Sequence, residues 1–224
     1  MSEALTAPPG GARPAERLRA EPPAYAALDL GTNNCRLLIA SPTPRGCRIV
    51  EAYSRIVRLG EGLTASGRLS DDAMERSLAA LKVCADKVRR RRVVRVRAIA
   101  TQACRMAENG PAFVRRVAEE TGLELQIITP REEAQLSVAG CLNLLDREMD
   151  AALVVDVGGG STELSWVGLK GGGLDAQPRR FQAPRLPIKA WLSIPVGVVS
   201  LAERFPEGER ADRAWFRSMV DDVK

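Results

Sequence analysis

Leu153-Val154-Val155-Asp156-Val157-Gly158-Gly159-Gly160-Ser161-Thr162-Glu163-Leu164 reads as a buried apolar strand, an acid at its end, a turn of bare glycine and a returning strand. Residues without a Cβ let backbone N–H groups point at an anion and let that anion come close. A carboxylate beside such a turn repels a bare phosphate, so the pair makes chemical sense with a divalent cation or a water between them. Glycine-rich hairpins that bind nothing are common, and the stretch taken alone reads equally well as one of those.

A second copy of the pattern changes the balance. Ala26-Ala27-Leu28-Asp29-Leu30-Gly31-Thr32-Asn33-Asn34-Cys35-Arg36-Leu37-Leu38-Ile39 is again an apolar run that ends in an Asp, turns through Gly and short polar residues, and returns as an apolar strand. Two strand–Asp–turn–strand hairpins, one heading each half, predict two similar lobes facing each other across a phosphate-sized gap. The interval from Asp29 to Asp156 holds one complete α/β lobe. Neither Asp suits a purely structural role, because an acid closing an apolar strand is costly without a partner.

The rest of the composition narrows the chemistry. The chain of 224 residues has room for one large domain or two small ones, and aliphatic side chains must build its core because aromatics make up 4%. Histidine is absent, which excludes imidazole acid–base chemistry, Ser-His-Asp triads and His-ligated metal sites in this chain. The five cysteines, at 35, 47, 84, 104 and 141, lack C-x-x-C spacing and read as incidental thiols of a reducing compartment. No apolar run approaches a membrane span, no signal peptide is legible, and the cytoplasm is the expected compartment. The net charge of +5 is gathered into arginine clusters, which suits anionic partners.

In chain order, residues 1–23 read as a disordered tail, 24–147 as a first lobe and 148–224 as a partial second lobe. Strands are predicted over about 25–30, 35–41 and from Cys47 towards Leu59, followed by a turn at Arg58–Leu63. A helix begins near Ser70 with Asp71 and Asp72 in its first turn, carries Met74, Leu78, Leu81 and Ala85 on one face, and ends in the basic run Lys87–Arg92. That run is read as a solvated helix end, with polyanion steering as the alternative. A strand over Val93–Ala100, a helix broken at Asn109-Gly110-Pro111 and capped by Gly122, a strand over Leu123–Ile128 and a helix from Thr129 to about Leu145 complete the first unit.

The start of that last helix separates two adjacent glutamates. Thr129 occupies the N-cap, Pro130 the first helical position and Glu132 the third, so Glu132 belongs to a capping box. Glu133 has no such duty and lies at a strand exit facing the gap. Gly140, two turns on and on roughly the same side, is expected to let the other lobe approach closely. Glu133 is therefore the candidate base that deprotonates a water; a plain exposed helix glutamate is the alternative reading.

Asp29-x-Gly31-Thr32-Asn33, Ala100-Thr101-x-Ala103-x-Arg105, Glu132-Glu133-Ala134 and Asp156-x-Gly158-Gly159-Gly160-Ser161-Thr162-Glu163 follow the order and spacing of the exopolyphosphatase/guanosine pentaphosphate phosphatase (Ppx/GppA) family. The chain resembles that family over about 25–168, and again at Ser193–Leu201. The resemblance implies an α/β, actin-like fold of two ribonuclease-H-like lobes, the second incomplete here. It also implies magnesium-dependent release of terminal phosphate from inorganic polyphosphate or guanosine pentaphosphate. Carried over by position, Glu133 is the catalytic base and Asp156 organises metal or water, with Asp29 as a further metal ligand. Gly158, Gly159, Gly160 and Ser161 hold phosphate from one lobe and Gly31, Thr32 and Asn33 from the other. Arg105 neutralises charge; a solvent-facing helix arginine is its plainer reading. Phosphoryl transfer needs chiefly in-line positioning and positive charge on the equatorial oxygens, which such groups supply without histidine.

Two departures from the family pattern stand out. Gly171 to Arg185 forms a Gly/Pro/Arg-rich insertion, read as a flexible loop basic enough to guide a polyanion. The 77 residues after 147 fall short of an actin-like lobe of ~100–150 residues. Three functional classes follow in order: a phosphohydrolase, a non-catalytic binder of polyphosphate or an alarmone nucleotide, and an ATP-dependent kinase of the same broad fold. No specific nucleic acid and no membrane are expected as partners, and pairing of two copies is left open.

Overall fold

Alternation in the first hairpin dictates the first sheet. Strand β1 (Tyr25–Leu30) buries Ala26, Leu28 and Leu30, and β2 (Asn34–Thr43) buries Cys35, Leu37 and Ile39, with Ser41 beyond them, so one face of the hairpin is predominantly apolar. Burying one such leucine or isoleucine is worth ~1.5–3 kcal/mol, which fixes the register. This computed structural model describes residues 22–44, 46–146, 148–170, 187–208 and 211–224. Residues 1–21 and 171–186 lie outside the described residues, and with them most of the expected disordered tail and the whole Gly171–Arg185 insertion.

Strand β3 (Gly46–Ile56) joins the outer edge of β2, while β4 (Arg95–Ala100) and β5 (Leu125–Ile127) run parallel to β1, giving the order β3-β2-β1-β4-β5. A four-residue helix α1 (Leu63–Ser66), which begins where the turn read from sequence at Arg58–Leu63 ends, precedes α2 (Asp71–Arg90). Ser70 caps α2 through its hydroxyl, which accepts from Ala73 N at 3.3 Å. The buried stripe Leu78, Leu81, Cys84 and Ala85 packs α2 onto the apolar face of the sheet. The basic end of α2 is a paired surface: Lys87 and Arg91 both bind Glu51 on β3, and Arg89 binds Asp86. Helices α3 (Gln102–Met106) and α4 (Gly110–Thr121) follow, and α4 ends at Gly122 in the left-handed region, φ 73°.

Helix α5 (Pro130–Cys141), continued by a 3-10 turn over Leu142–Leu144, opens with the expected capping box. The sequence reading puts this helix at the end of the first unit, yet its buried face lies on the other sheet. Val138 packs with Val154, Val167 and Leu169, joined by Cys141, Leu142 and Leu145. That second sheet is antiparallel, in the order β6 (Ala151–Val157), β7 (Thr162–Gly168), β8 (Ile188–Ile194). Strand β8 lies between the Gly171–Arg185 insertion and the Ser193–Leu201 segment of the sequence reading, in a stretch given no strand there. The opposite face of this sheet carries Leu153, Val155, Val157, Trp166 and Leu192, each half exposed or more. Helix α6 (Val198–Arg204) and helix α7 (Arg213–Val223) complete the chain, tied by Arg204–Asp222 at 2.7 Å and by Trp215 Nε1 donating to Phe205 O at 3.0 Å.

Candidate active site

Both hairpin turns are closed in the same way. Gly31 N–H donates to Asn34 O at 2.8 Å, and Gly158 N–H donates to Ser161 O at 2.8 Å. In each, the glycine two residues after the Asp spends its N–H inside the turn. Gly31 and Gly158 therefore line the gap but do not offer the donors expected of them. The N–H groups left without a backbone acceptor among the described residues are those of Thr32 and Asn33 in one turn and Gly159, Gly160 and Ser161 in the other.

The two turns meet. A Cβ on Gly159 would lie 3.0 Å from Thr32 Cβ and 3.1 Å from Asn33 N, and one on Gly160 would strike the Gln102 side chain. A side chain at Gly159 would crowd the first turn by a few tenths of an ångström, because the two turns approach closely across the lobes. Gly140, expected from the sequence to provide this closeness, faces open space: a Cβ there would meet nothing within 4 Å. The residue of α5 that reaches the second hairpin is instead Ser137, one turn after Glu133, whose hydroxyl donates to the Asp156 carboxylate.

A cleft of about 160 Å³ lies where the turns converge, lined by Asp29, Gly31, Thr32, Asn33, Glu133, Asp156, Gly158, Gly159, Gly160 and Ser161. Arg36 and Thr101 share its wall. A larger chamber of about 700 Å³ along the first sheet shares Asp29, Arg36, Glu133 and Asp156 with the cleft, and its wall includes Tyr53, Arg97 and Leu136. Arg105 is the one proposed site residue that does not line the cleft. It borders a separate cavity beside Trp191, and its Nη1 donates to Ile128 O at 2.7 Å and to Glu133 Oε2 at 3.2 Å. Its charge acts on the glutamate.

Electrostatics set the two glutamates of α5 apart. Glu132 accepts from Thr129 N at 2.9 Å and from the Thr129 hydroxyl, which hold its carboxyl below the usual range. Glu133, 17% exposed, is pushed up to about 7. Burial is the chief cause and the nearby Glu163 carboxylate adds to it, while Arg105 opposes both. Burial also raises Asp29, against the pull of Arg36 and with a further push from Asp156.

Two functional-site neighbours, Arg36 and Ser137, escape the sequence reading, and a third, Glu163, stands in its last motif without a role. Asp29 stands directly opposite Arg36 in the β1–β2 ladder, and Asp156 opposite Glu163 in the β6–β7 ladder. The interval is seven residues in both hairpins, so one register places a cation beside the first Asp and a second acid beside the other. Glu163 is buried and accepts from the Ser193 hydroxyl at 2.7 Å. Those matching intervals were the available signal.

A family model described as the Ppx/GppA phosphatase family matches residues 38–222. The chain belongs to the Ppx/GppA phosphatase family. Among solved Ppx/GppA structures, a crystal structure of an exopolyphosphatase-like protein is 32% identical, with a TM-score of 0.75 over 89% of this chain and 58% of that one. The Aquifex aeolicus family member is 28% identical, with a TM-score of 0.65 over 90% of this chain and 60% of that one. An exopolyphosphatase from Cytophaga hutchinsonii, 24% identical with a TM-score of 0.76 over 89% and 59%, shares the fold. The fold is the actin-like α/β fold expected from the motifs. The chain spans about 60% of the length of these relatives. No helix among the described residues is long and apolar enough to cross a membrane.

Proposed function

We propose that the cleft releases terminal phosphate from inorganic polyphosphate or guanosine pentaphosphate by attack of a water that Glu133 deprotonates. The observation that carries this reading is a largely shielded carboxyl, pushed up to about 7 by burial, that lines the same small cleft as five N–H groups free of backbone acceptors. A base that titrates near neutrality is half ionised where it must work. The N–H groups of Thr32, Asn33, Gly159, Gly160 and Ser161 suit the oxygens of a terminal phosphate, and Arg36 offsets charge on the same wall. Glu133 takes one proton from water, the new P–O bond forms in line, and the bridging oxygen leaves with the shortened chain.

Asp29 and Asp156 are the residues that would hold magnesium. The described residues contain no preassembled group of three metal-ligating side chains. That suits an ion bound by one or two carboxylates together with substrate phosphates and water. When bound, magnesium would neutralise phosphate charge. A binder without turnover is the second reading, favoured by the engagement of Glu133 Oε2 with Arg105 at 3.2 Å, which the N–H donors of the turns do not need in order to hold phosphate.

The test is phosphate release from long-chain polyphosphate and from guanosine pentaphosphate, with and without magnesium, for wild type and Glu133→Gln. The substitution is expected to lower release at least ~10²-fold while tripolyphosphate binding persists. Equal rates for the two proteins remove Glu133 from the mechanism. Binding without release in the wild type selects the second reading.

A further inference from the structure

Apart from helix α5, the two halves of the molecule touch mainly through their turns. Among the described residues, one hydrogen bond joins residues 22–128 directly to residues 148–224: Gly62 N–H donates to Glu203 Oε1 at 2.7 Å. Each end of that bond is fastened to one of the two turns of the cleft.

On the Glu203 side, α6 is bolted to the glycine turn. Val198 N donates to Gly158 O at 3.0 Å and Val199 N to Gly159 O at 2.7 Å. Gly197 lies so close that an added Cβ would stand 2.5 Å from the Gly159–Gly160 peptide. On the Gly62 side, the segment Val57–Gly62 is bolted to the first turn. Gly60 N donates to Thr32 O at 2.9 Å, and Val57 N and Arg58 N both donate to Asn33 O, at 2.8 and 3.0 Å. Arg76 anchors the segment to α2 through Val57 O at 3.1 Å and the Glu61 carboxylate. The carbonyls of Thr32 and Asn33 are thus held from behind, which orients their peptides in the turn.

We propose that Glu203 is a positioning residue: its bond to Gly62 ties the lobes together at a second point besides α5 and sets the spacing of the two rows of N–H donors. The proposal deepens the phosphate-cleft reading and rests on it. With α5 as the other connection, the lobes are joined at two points. Loss of the tie leaves the first turn free to swing on α5, so donors from the two lobes no longer meet one phosphate group together.

The experiment compares wild type with Glu203→Ala, Glu203→Asp and Glu203→Gln. The aspartate keeps the charge but falls one methylene short of Gly62, while the glutamine keeps an acceptor oxygen at full reach. The readouts are tripolyphosphate binding by calorimetry, KM and kcat for polyphosphate, and amide hydrogen exchange at Gly62. Alanine and aspartate are expected to weaken binding and raise KM about tenfold with a smaller change in kcat, as fits one charge-assisted bond. Glutamine is expected to stay within about threefold of wild type. Gly62 exchange should speed up in the first two variants and not in the third, and tripolyphosphate should slow it in wild type. Wild-type binding retained in both alanine and aspartate variants overturns the proposal, as does a glutamine variant as impaired as alanine. A wild type that neither binds nor hydrolyses phosphate chains refutes the cleft reading, while unchanged Gly62 exchange in the variants refutes the tie by itself.

Discussion

Removing the Arg105 guanidinium should move the acid limb of the pH–rate profile. Arg105 and Glu133 are 20% and 17% exposed and meet at 3.2 Å, so the bond is shielded from water and salt. A hydrogen bond between charged groups in such a place is worth ~1.5–3 kcal/mol, which is about one to two pH units at 1.36 kcal/mol per unit. In Arg105→Ala the Glu133 carboxyl should therefore rise from about 7 to about 8–9. At pH 7 its ionised fraction would fall from roughly one half to roughly 1–10%, and kcat/KM should drop about five- to fiftyfold. Raising the pH towards 9 should restore most of that loss. Stability follows the same titration. An acid whose folded pKa exceeds its unfolded value contributes fully below about 4.5 and loses that contribution as pH climbs through the folded value. Melting temperature should thus decline between about pH 4.5 and 7 in wild type and continue to decline to higher pH in Arg105→Ala. Phosphate release from pH 5 to 9.5, together with a carbon NMR titration of Glu133, measures both. A deficit equal at every pH would assign Arg105 to the substrate, and an acid limb unmoved from neutrality would refute its action on Glu133.

Glu132→Gln should cost about 0.5–1 kcal/mol by chemical denaturation and leave kcat within about twofold, since its carboxyl is committed to Thr129; a selective collapse of turnover would reverse the roles of the two glutamates. Gly197→Ala forces a methyl to within 2.5 Å of the Gly159–Gly160 peptide, so it should lower stability by roughly 1–3 kcal/mol and weaken tripolyphosphate binding. A thermal melt and a binding isotherm like those of the wild type would contradict the close packing of α6 on the glycine turn.

Local chemistry makes much of this site legible in advance. The two Asp–turn hairpins, the Ser70 cap, the Gly122 cap and the Thr129–Glu132 capping box are short-range patterns, and each takes the form its residues dictate. What escapes the sequence depends on long-range packing. The partner of α5 is not readable because Val138, Cys141 and Leu142 suit either sheet, and the choice falls to residues beyond 150. Arg105 carries a motif but not a direction, since its pairing with Glu133 requires α3 and α5 to be neighbours. Gly140 attracts attention for its small size where Ser137, at the helical interval from Glu133, makes the contact. Strand β8 follows a Gly/Pro/Arg-rich stretch whose composition masks the return of an apolar alternation.

Helix α5 has divided loyalties. Its first turn presents Glu133 to Arg105, whereas its later turns are embedded in the sheet of β6–β8. The Arg105–Glu133 pair therefore spans the joint between the two sheets, and the glutamate keeps its counter-charge only at the spacing that α3 and α5 jointly set.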